Sequence, residues 1–433
     1  MLGLPGAIIV GLGSILGSGV FVSLAMAAGI AGPAALLAIV IAAALATCNG
    51  LSSAQLAAAH PVSGGTYAYG YRFLHPALGF SAGWLFLWAK SASAATAALG
   101  FAGYVIQPFN DTSQALIMGV AIAAVLGITI VVLLGMRRTT PVNLVIVTVT
   151  VLALIFFIVT GVSTSMTDAR EHLTPLFSAP ANQTNSDSFI PALLHASALL
   201  FVGYTGYGRI ATLGEEVKDP QRTIPRAVIA TLAITMLLYL GVAFTAIASI
   251  GAPAFGRTLE GAAAPLEIVA ATFDVPAARW VLAIGAITAM LGVLLNLLLG
   301  LSRVLLAMGR QRDMPAATAK LNRDHTTPIV AVVIMAIIVA GLCLLGDVRL
   351  TWSFSAFTVL LYYAITNAAA LRLDATQRLY PRWIPALGLI GCLGLAFWVD
   401  WSIWLAGLGL IALGLVWHTT AKSIGRSSSN PQV

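Results

Sequence analysis

Charge is scarce in this 433-residue chain: Asp, Glu, Lys and Arg make up 9% of it, against about 25% in a soluble globular protein. With 59% of residues hydrophobic, the chain has too little polar surface to stay dispersed in water. Cysteine is also scarce. Cys48, Cys343 and Cys392 all fall in apolar runs, with no C-x-x-C spacing, so neither a disulfide framework nor a zinc site is expected. No G-x-x-x-x-G-K-[ST] loop is present, nor a soluble domain to hold one, which excludes an ATP-driven pump. No Asp or Glu falls in mid-span, so paired buried acid/base groups are missing and an enzyme is not expected. His60, His75, His172, His195, His325 and His418 are not spaced to cluster with carboxylates, and no metal or other cofactor is implied. A net charge of +7 would suit nucleic acid, but no basic stripe with interleaved aromatics exists. The charges sit in short loops between apolar runs.

Those runs are the dominant feature. About 20 apolar residues cross a bilayer as a helix, and because lipid offers the backbone no hydrogen bonds, only helices and closed barrels, which pair every backbone group internally, can span it. The runs lack period-2 alternation, which excludes a barrel. Twelve helices are expected, at residues 5–30, 33–59, 77–107, 115–135, 140–163, 189–213, 225–250, 277–309, 327–345, 349–371, 382–399 and 401–418. Asp400 leaves almost no loop between the last two. Residues 422–433 are polar and Ser-rich, the composition of a disordered tail. The first run is too long for a signal-peptide core and lacks a basic leader; its abrupt start suggests that a short N-terminal segment precedes it. The loop 60–65 is Gly/Pro-rich, so an in-plane segment before the third helix is expected. Residues 265–273 are expected to cap an outer vestibule, and Asn182-Gln183-Thr184 fits a glycosylation sequon.

Counting Lys and Arg orients the chain. Sixteen of the 22 fall in loops on the N-terminal side and four on the other, while Lys90 and Arg209 lie inside spans. The positive-inside bias places both termini in the cytoplasm of a multi-pass cell-membrane protein.

Two spans are interrupted by small residues. The first contains Gly11, Gly13, Gly17, Ser18 and Gly19; the sixth contains Gly203, Gly206 and Gly208. Glycine costs a helix about 1 kcal/mol relative to alanine, so clustering makes unwinding cheap. One cluster alone fits close helix packing through small residues. Paired interruptions at the heads of two five-helix halves point to a transporter site, where helix N-termini face a carboxylate and freed carbonyls face a cation.

Gly17-Ser18-Gly19-Val20-Phe21 resembles the first-helix signature of the amino acid–polyamine–organocation superfamily of permeases. The stretches 61–67 and 78–84, Phe201 through Gly208 with Glu215 and Glu216 beyond it, and the loop around Asp313 resemble further segments in the same order. The resemblance implies an all-α integral membrane fold like the leucine transporter: inverted repeats at 5–163 and 189–371, two further helices at 382–418 and a cytoplasmic tail at 419–433. It implies secondary active transport of an amino acid, neutral by expectation, or a related amine, with a proton or sodium ion as coupling partner. An acidic or organic-anion substrate and a non-transporting amino acid sensor stay open as alternatives. By position, Gly17, Ser18 and Gly19 would meet the substrate carboxylate. The carbonyls of Phe201 and Tyr204 would meet its ammonium, and Thr205, Tyr207 and Gly208 would line the side-chain pocket. Glu215 and Glu216 would gate or cap the inner end of the sixth span. Many relatives carry an acid where Gly208 stands, and proton-coupled ones a lysine where Thr150 stands; this chain departs from both.

Lys90 and Arg209 are the mid-span cations, and buried ions in a membrane mark function by default. Both side chains also suit snorkelling to the interface or pairing with freed carbonyls. Lys90 is a candidate to exchange a proton, which unchanged pH-dependent uptake by Lys90→Ala would exclude. Unmatched by carboxylates, the two cations equally suit an anionic substrate.

Overall fold

The computed structural model describes residues 2–60, 62, 64–109, 113–135, 139–165, 169–175, 189–211, 217–261, 263–322 and 326–427. Among them there is no β-strand, only an isolated bridge between Leu2 and Val217. The first span is α1 (Leu4–Ile15) and α2 (Leu24–Ala31), joined through a π-helical turn at Gly19–Ser23. Span 2 is α3 (Ala35–Ala59), followed by a short α4 (Thr66–Phe73). Spans 3, 4 and 5 are α5 (Pro76–Ile106), α6 (Gln114–Leu133) and α7 (Thr139–Ser165), and a short α8 (Ala169–Leu173) follows. Span 6 is α9 (Phe189–Tyr204) and α10 (Gly208–Ala211), separated by a 3-10 turn; span 7 is α11 (Pro220–Ile250). After the short α12 (Ala252–Arg257) and α13 (Pro265–Ala270) come α14 (Ala278–Arg310), α15 (Ile329–Cys343) and α16 (Val348–Leu371), spans 8 to 10. Spans 11 and 12 are α17 (Trp383–Ala396) and α18 (Trp401–Ser427).

Nine helical segments among the described residues are long and apolar enough to cross a membrane. One of these, Gly19–Ala59, contains parts of two spans, because the chain reverses at Gly32, whose φ of 60° suits glycine. The apolar helices α1, α15 and α17 are shorter and complete the set. A short helix, α4, stands where an in-plane segment is expected. The expected disordered tail does not begin at 422: the backbone stays helical to Ser427, with no Pro in α18 to stop it. The sequon lies outside the described residues.

α5 is the central post. Its Ala, Ser and Gly residues let α14 and α16 pack closely on either side, and Ser91, Ala92, Ala94, Ala95, Ala97 and Ala98 are fully buried. The peripheral α6, α7 and α18 instead turn large side chains outward, such as Ile130, Leu152 and Leu413. In a soluble protein such a surface would aggregate; here it is what lipid wets. Packing contacts recur with an offset of five spans. α3 packs on α11 and α6 on α15; α7 against α14 is mirrored by α16 against α5, and α1 against α11 by α9 against α3. The short helices follow the same pattern, α4 after span 2 and α12–α13 after span 7.

Candidate functional site

The interruption in span 1 is a local change of backbone. Leu16 is extended, with φ −74° and ψ 106°. The helix restarts with the carbonyl of Gly17 accepting from the amides of Val20 and Phe21, both at 3.1 Å. The amide groups at the start of this second half have no preceding turn to bind, as at any helix N-terminus. In span 6 the α-helix ends at Tyr204, tightens into a 3-10 turn over Thr205–Tyr207, and resumes at Gly208. A side chain at Gly206 would collide with the backbone of Ser14, so glycine there allows the two broken spans to touch.

Polar side chains from other spans tie down the opened backbone. The Tyr239 hydroxyl, on α11, donates to the Gly203 carbonyl at 3.0 Å and lies 3.5 Å from that of Ile15. Tyr363, on α16, donates to the Thr205 carbonyl at 3.2 Å. Trp352 Nε1 donates to the Leu199 carbonyl at 2.9 Å. On span 1, Asn296 Nδ2 of α14 donates to Gly13 O at 3.4 Å and Asn143 Nδ2 of α7 to Ile9 O at 3.3 Å. Each bond supplies a partner that lipid cannot.

Between the breaks lies a cavity of about 450 Å³. Ser18, Gly19, Thr205, Gly208, Lys90 and Arg209 all line it. Its wall also runs past Gly64, Gly65 and Thr66 to Arg303, which is the side carrying α4. At the opposite side, Tyr104 bridges span 1 to α13: its hydroxyl donates to Phe21 O at 3.0 Å and accepts from Leu266 N at 3.1 Å. Gly29 of α2 sits against Gly256 of α12, and Arg349 Nη2 donates to the Gly256 carbonyl at 3.1 Å. The buried Glu267 accepts from Arg279 at 3.2 Å. Burial raises the Glu267 carboxyl above its usual range and Arg279 pulls it back down. The α12–α13 side is therefore sealed by packing, while the cavity reaches toward the α4 side.

Other expected residues sit elsewhere. Gly17, Phe201, Tyr204 and Tyr207 are buried at the breaks but are not part of the cavity wall. Tyr204 donates to Ile39 O at 3.3 Å, and the Tyr207 ring packs on Tyr363. Thr150 donates to Ile146 O of its own helix at 2.8 Å. Glu215 and Glu216 lie outside the described residues.

One constellation was not legible in the sequence. The histidines were not expected to meet carboxylates, yet His418 Nδ1 lies 3.2 Å from Asp313 Oδ1. The Tyr67 and Tyr71 hydroxyls donate to Asp313 Oδ2 at 2.7 and 2.6 Å, and Trp417 Nε1 donates to Asp313 O at 3.0 Å. This buried hub ties α4 and α18 to the loop after α14. Its partners are 104 to 246 residues apart in the chain, so no local pattern announces it. Asn296, Trp352 and Tyr363 carry no charge and sit in no glycine cluster or motif, so nothing local marks them, although any polar group in a span needs a partner.

The amino acid permease family model matches residues 6–430. The chain belongs to the amino acid permease family. It is similar to an uncharacterised transporter of Mycobacterium tuberculosis, 39% identical over 98% of this chain and 92% of that relative. It is also similar to a branched-chain amino acid permease of Bacillus subtilis, 26% identical over 94% of this chain and 90% of the relative. A chloroplastic cationic amino acid transporter of Arabidopsis thaliana is 26% identical over 91% of this chain and 69% of its own length. These relatives are named as transporters and permeases rather than enzymes. This permease is accordingly a multi-pass membrane transporter with the all-helical permease fold.

Proposed function

We propose that this permease carries an amino acid by alternating access, binding it between the breaks of spans 1 and 6. The observation that carries the reading is that both breaks, on helices some 190 residues apart in the chain, line one cavity. The Ser18 and Gly19 amides, with Gly17 shaping the turn, would receive the carboxylate, as the start of a helix favours an anion. In the last turn of α9, Val202 O accepts from the Thr205 hydroxyl and Gly203 O from Tyr239. The Phe201 and Tyr204 carbonyls, which flank the wall residues Val202 and Gly203 without lining the cavity in this conformation, would turn to the ammonium as span 6 closes on the substrate. Thr205 and Gly208 would face the side chain, with Tyr207 packed behind them.

The five-span offset in packing supports two inverted repeats, 5–163 and 189–371, with spans 11 and 12 added and a tail at 419–433. Rocking of spans 1 and 6 against the α5–α14 scaffold would then exchange the open and sealed faces. The positive-charge bias supports the α4 face and both termini as cytoplasmic in the cell membrane, on which reading the cavity opens inward.

Reconstitution in proteoliposomes tests this. Saturable uptake of a labelled amino acid, accelerated by unlabelled substrate inside, is expected. Flux that never saturates, or no flux with any amino acid, would overturn it.

A further inference from the structure

The cavity wall carries three cations, Lys90, Arg209 and Arg303, and no Asp or Glu among the described residues. Of the three, Lys90 is the buried one. It stands on the central α5, is 7% exposed, and still borders the cavity. Its ammonium donates to Thr205 Oγ1 at 2.7 Å, and that hydroxyl spends its own proton on Val202 O at 2.8 Å. Thr205 is thus set as an acceptor and pins Nζ at the break of span 6. An ammonium has three N–H groups. The hydroxyl takes one, which leaves donors beside the space where a substrate would sit.

A buried cation is costly to keep unless an anion or several acceptors meet it. An apolar substrate side chain would strip water from Lys90 and return nothing. A basic one would add like-charge repulsion. A carboxylate would make a charge-assisted hydrogen bond with Nζ and leave the loaded site near neutral. Arg303, which lines the same cavity, adds positive potential along the route and would draw an anion inward.

We infer that this permease selects amino acids with an acidic side chain, and that Lys90 is the residue that reads the side-chain carboxylate. This rests on the cavity being an amino acid site, and it replaces the neutral side chain otherwise expected; the lack of an acid at Gly208 removes only a partner for a basic side chain.

The test uses the full chain in proteoliposomes, with glutamate and aspartate compared against glutamine, leucine and glutarate as competitors of uptake and as stabilisers against heat. In the unaltered protein, glutamate or aspartate is expected to bind at least tenfold more tightly than glutamine. Lys90→Met should abolish that ratio, and Lys90→Arg should keep most of it. Saturable uptake of leucine or glutamine with glutamate no better would overturn the inference and leave the transporter reading standing. Glutarate competing as well as glutamate would overturn recognition of the α-amino group while upholding the role of Lys90. Absence of binding by every amino acid would overturn both. The glutamate-to-glutamine ratio is measured on the unaltered chain, so a poorly folded variant does not blunt the test.

Discussion

Gly19 and Gly203 meet where the two interrupted spans cross: a β-carbon on Gly19 would lie 2.8 Å from Gly203 Cα and 2.5 Å from the Tyr239 hydroxyl. One of those neighbours is backbone, so the collision cannot be relieved by a side-chain rotation alone. Gly19→Ala is expected to lower stability by about 1–3 kcal/mol, the usual cost of overpacking, and to reduce transport at least tenfold. Gly127, on α6, has nothing within 4 Å of an added β-carbon, so Gly127→Ala should leave uptake unchanged. Thermal unfolding in detergent and uptake, measured on both variants, check the pair.

Tyr239 holds the opened backbone from the other side. Tyr239→Phe keeps the ring but leaves the Gly203 carbonyl without its donor. A buried acceptor left unsatisfied costs about 1–3 kcal/mol. A drop in melting temperature with a larger drop in turnover is the expected result; full activity would show that the bond is dispensable.

The Asp313 hub predicts an effect at high pH. Burial, and then the hydrogen bond to Asp313, raise the Tyr67 and Tyr71 hydroxyls above their ordinary value of 10. The folded protein therefore holds these protons more tightly than the unfolded chain. The stabilisation is complete below pH 10 and declines as pH rises above it toward the raised values. The double variant Tyr67→Phe/Tyr71→Phe should flatten that alkaline decline. Asp313→Asn should loosen α4, seen as faster amide hydrogen exchange across Thr66–Phe73. Unchanged exchange there would argue that α4 is held by apolar packing alone.

On the sealed face, Glu267 titrates in the opposite region. Its carboxyl is raised by burial despite Arg279, so the folded state prefers the protonated acid. Stability from this group is greatest in acid and falls as pH rises from about 4.5 through the raised value. Arg279→Met removes the opposing cation and should deepen that fall. Glu267→Gln in the same background should recover much of the loss, because no buried charge is then left unpaired. Melting temperature between pH 4 and 8 on the three proteins decides it.

The amino-acid sequence alone determined that the chain is a multi-pass membrane protein, nearly where each apolar helix begins and ends, and that the helices at 5–30 and 189–213 break. Those properties are local: hydrophobic run length and clustered glycines act within a few turns of helix. Tertiary structure alone decided that Lys90 meets Thr205, 115 residues on, that Tyr239 bridges Gly203, and that His418 finds Asp313. The physical reason is that an apolar helix is equally content against lipid or against any neighbour of fitting shape, so its pattern says little about which face turns inward. That choice is made when all the spans pack together, and only then does a lone polar residue acquire its partner.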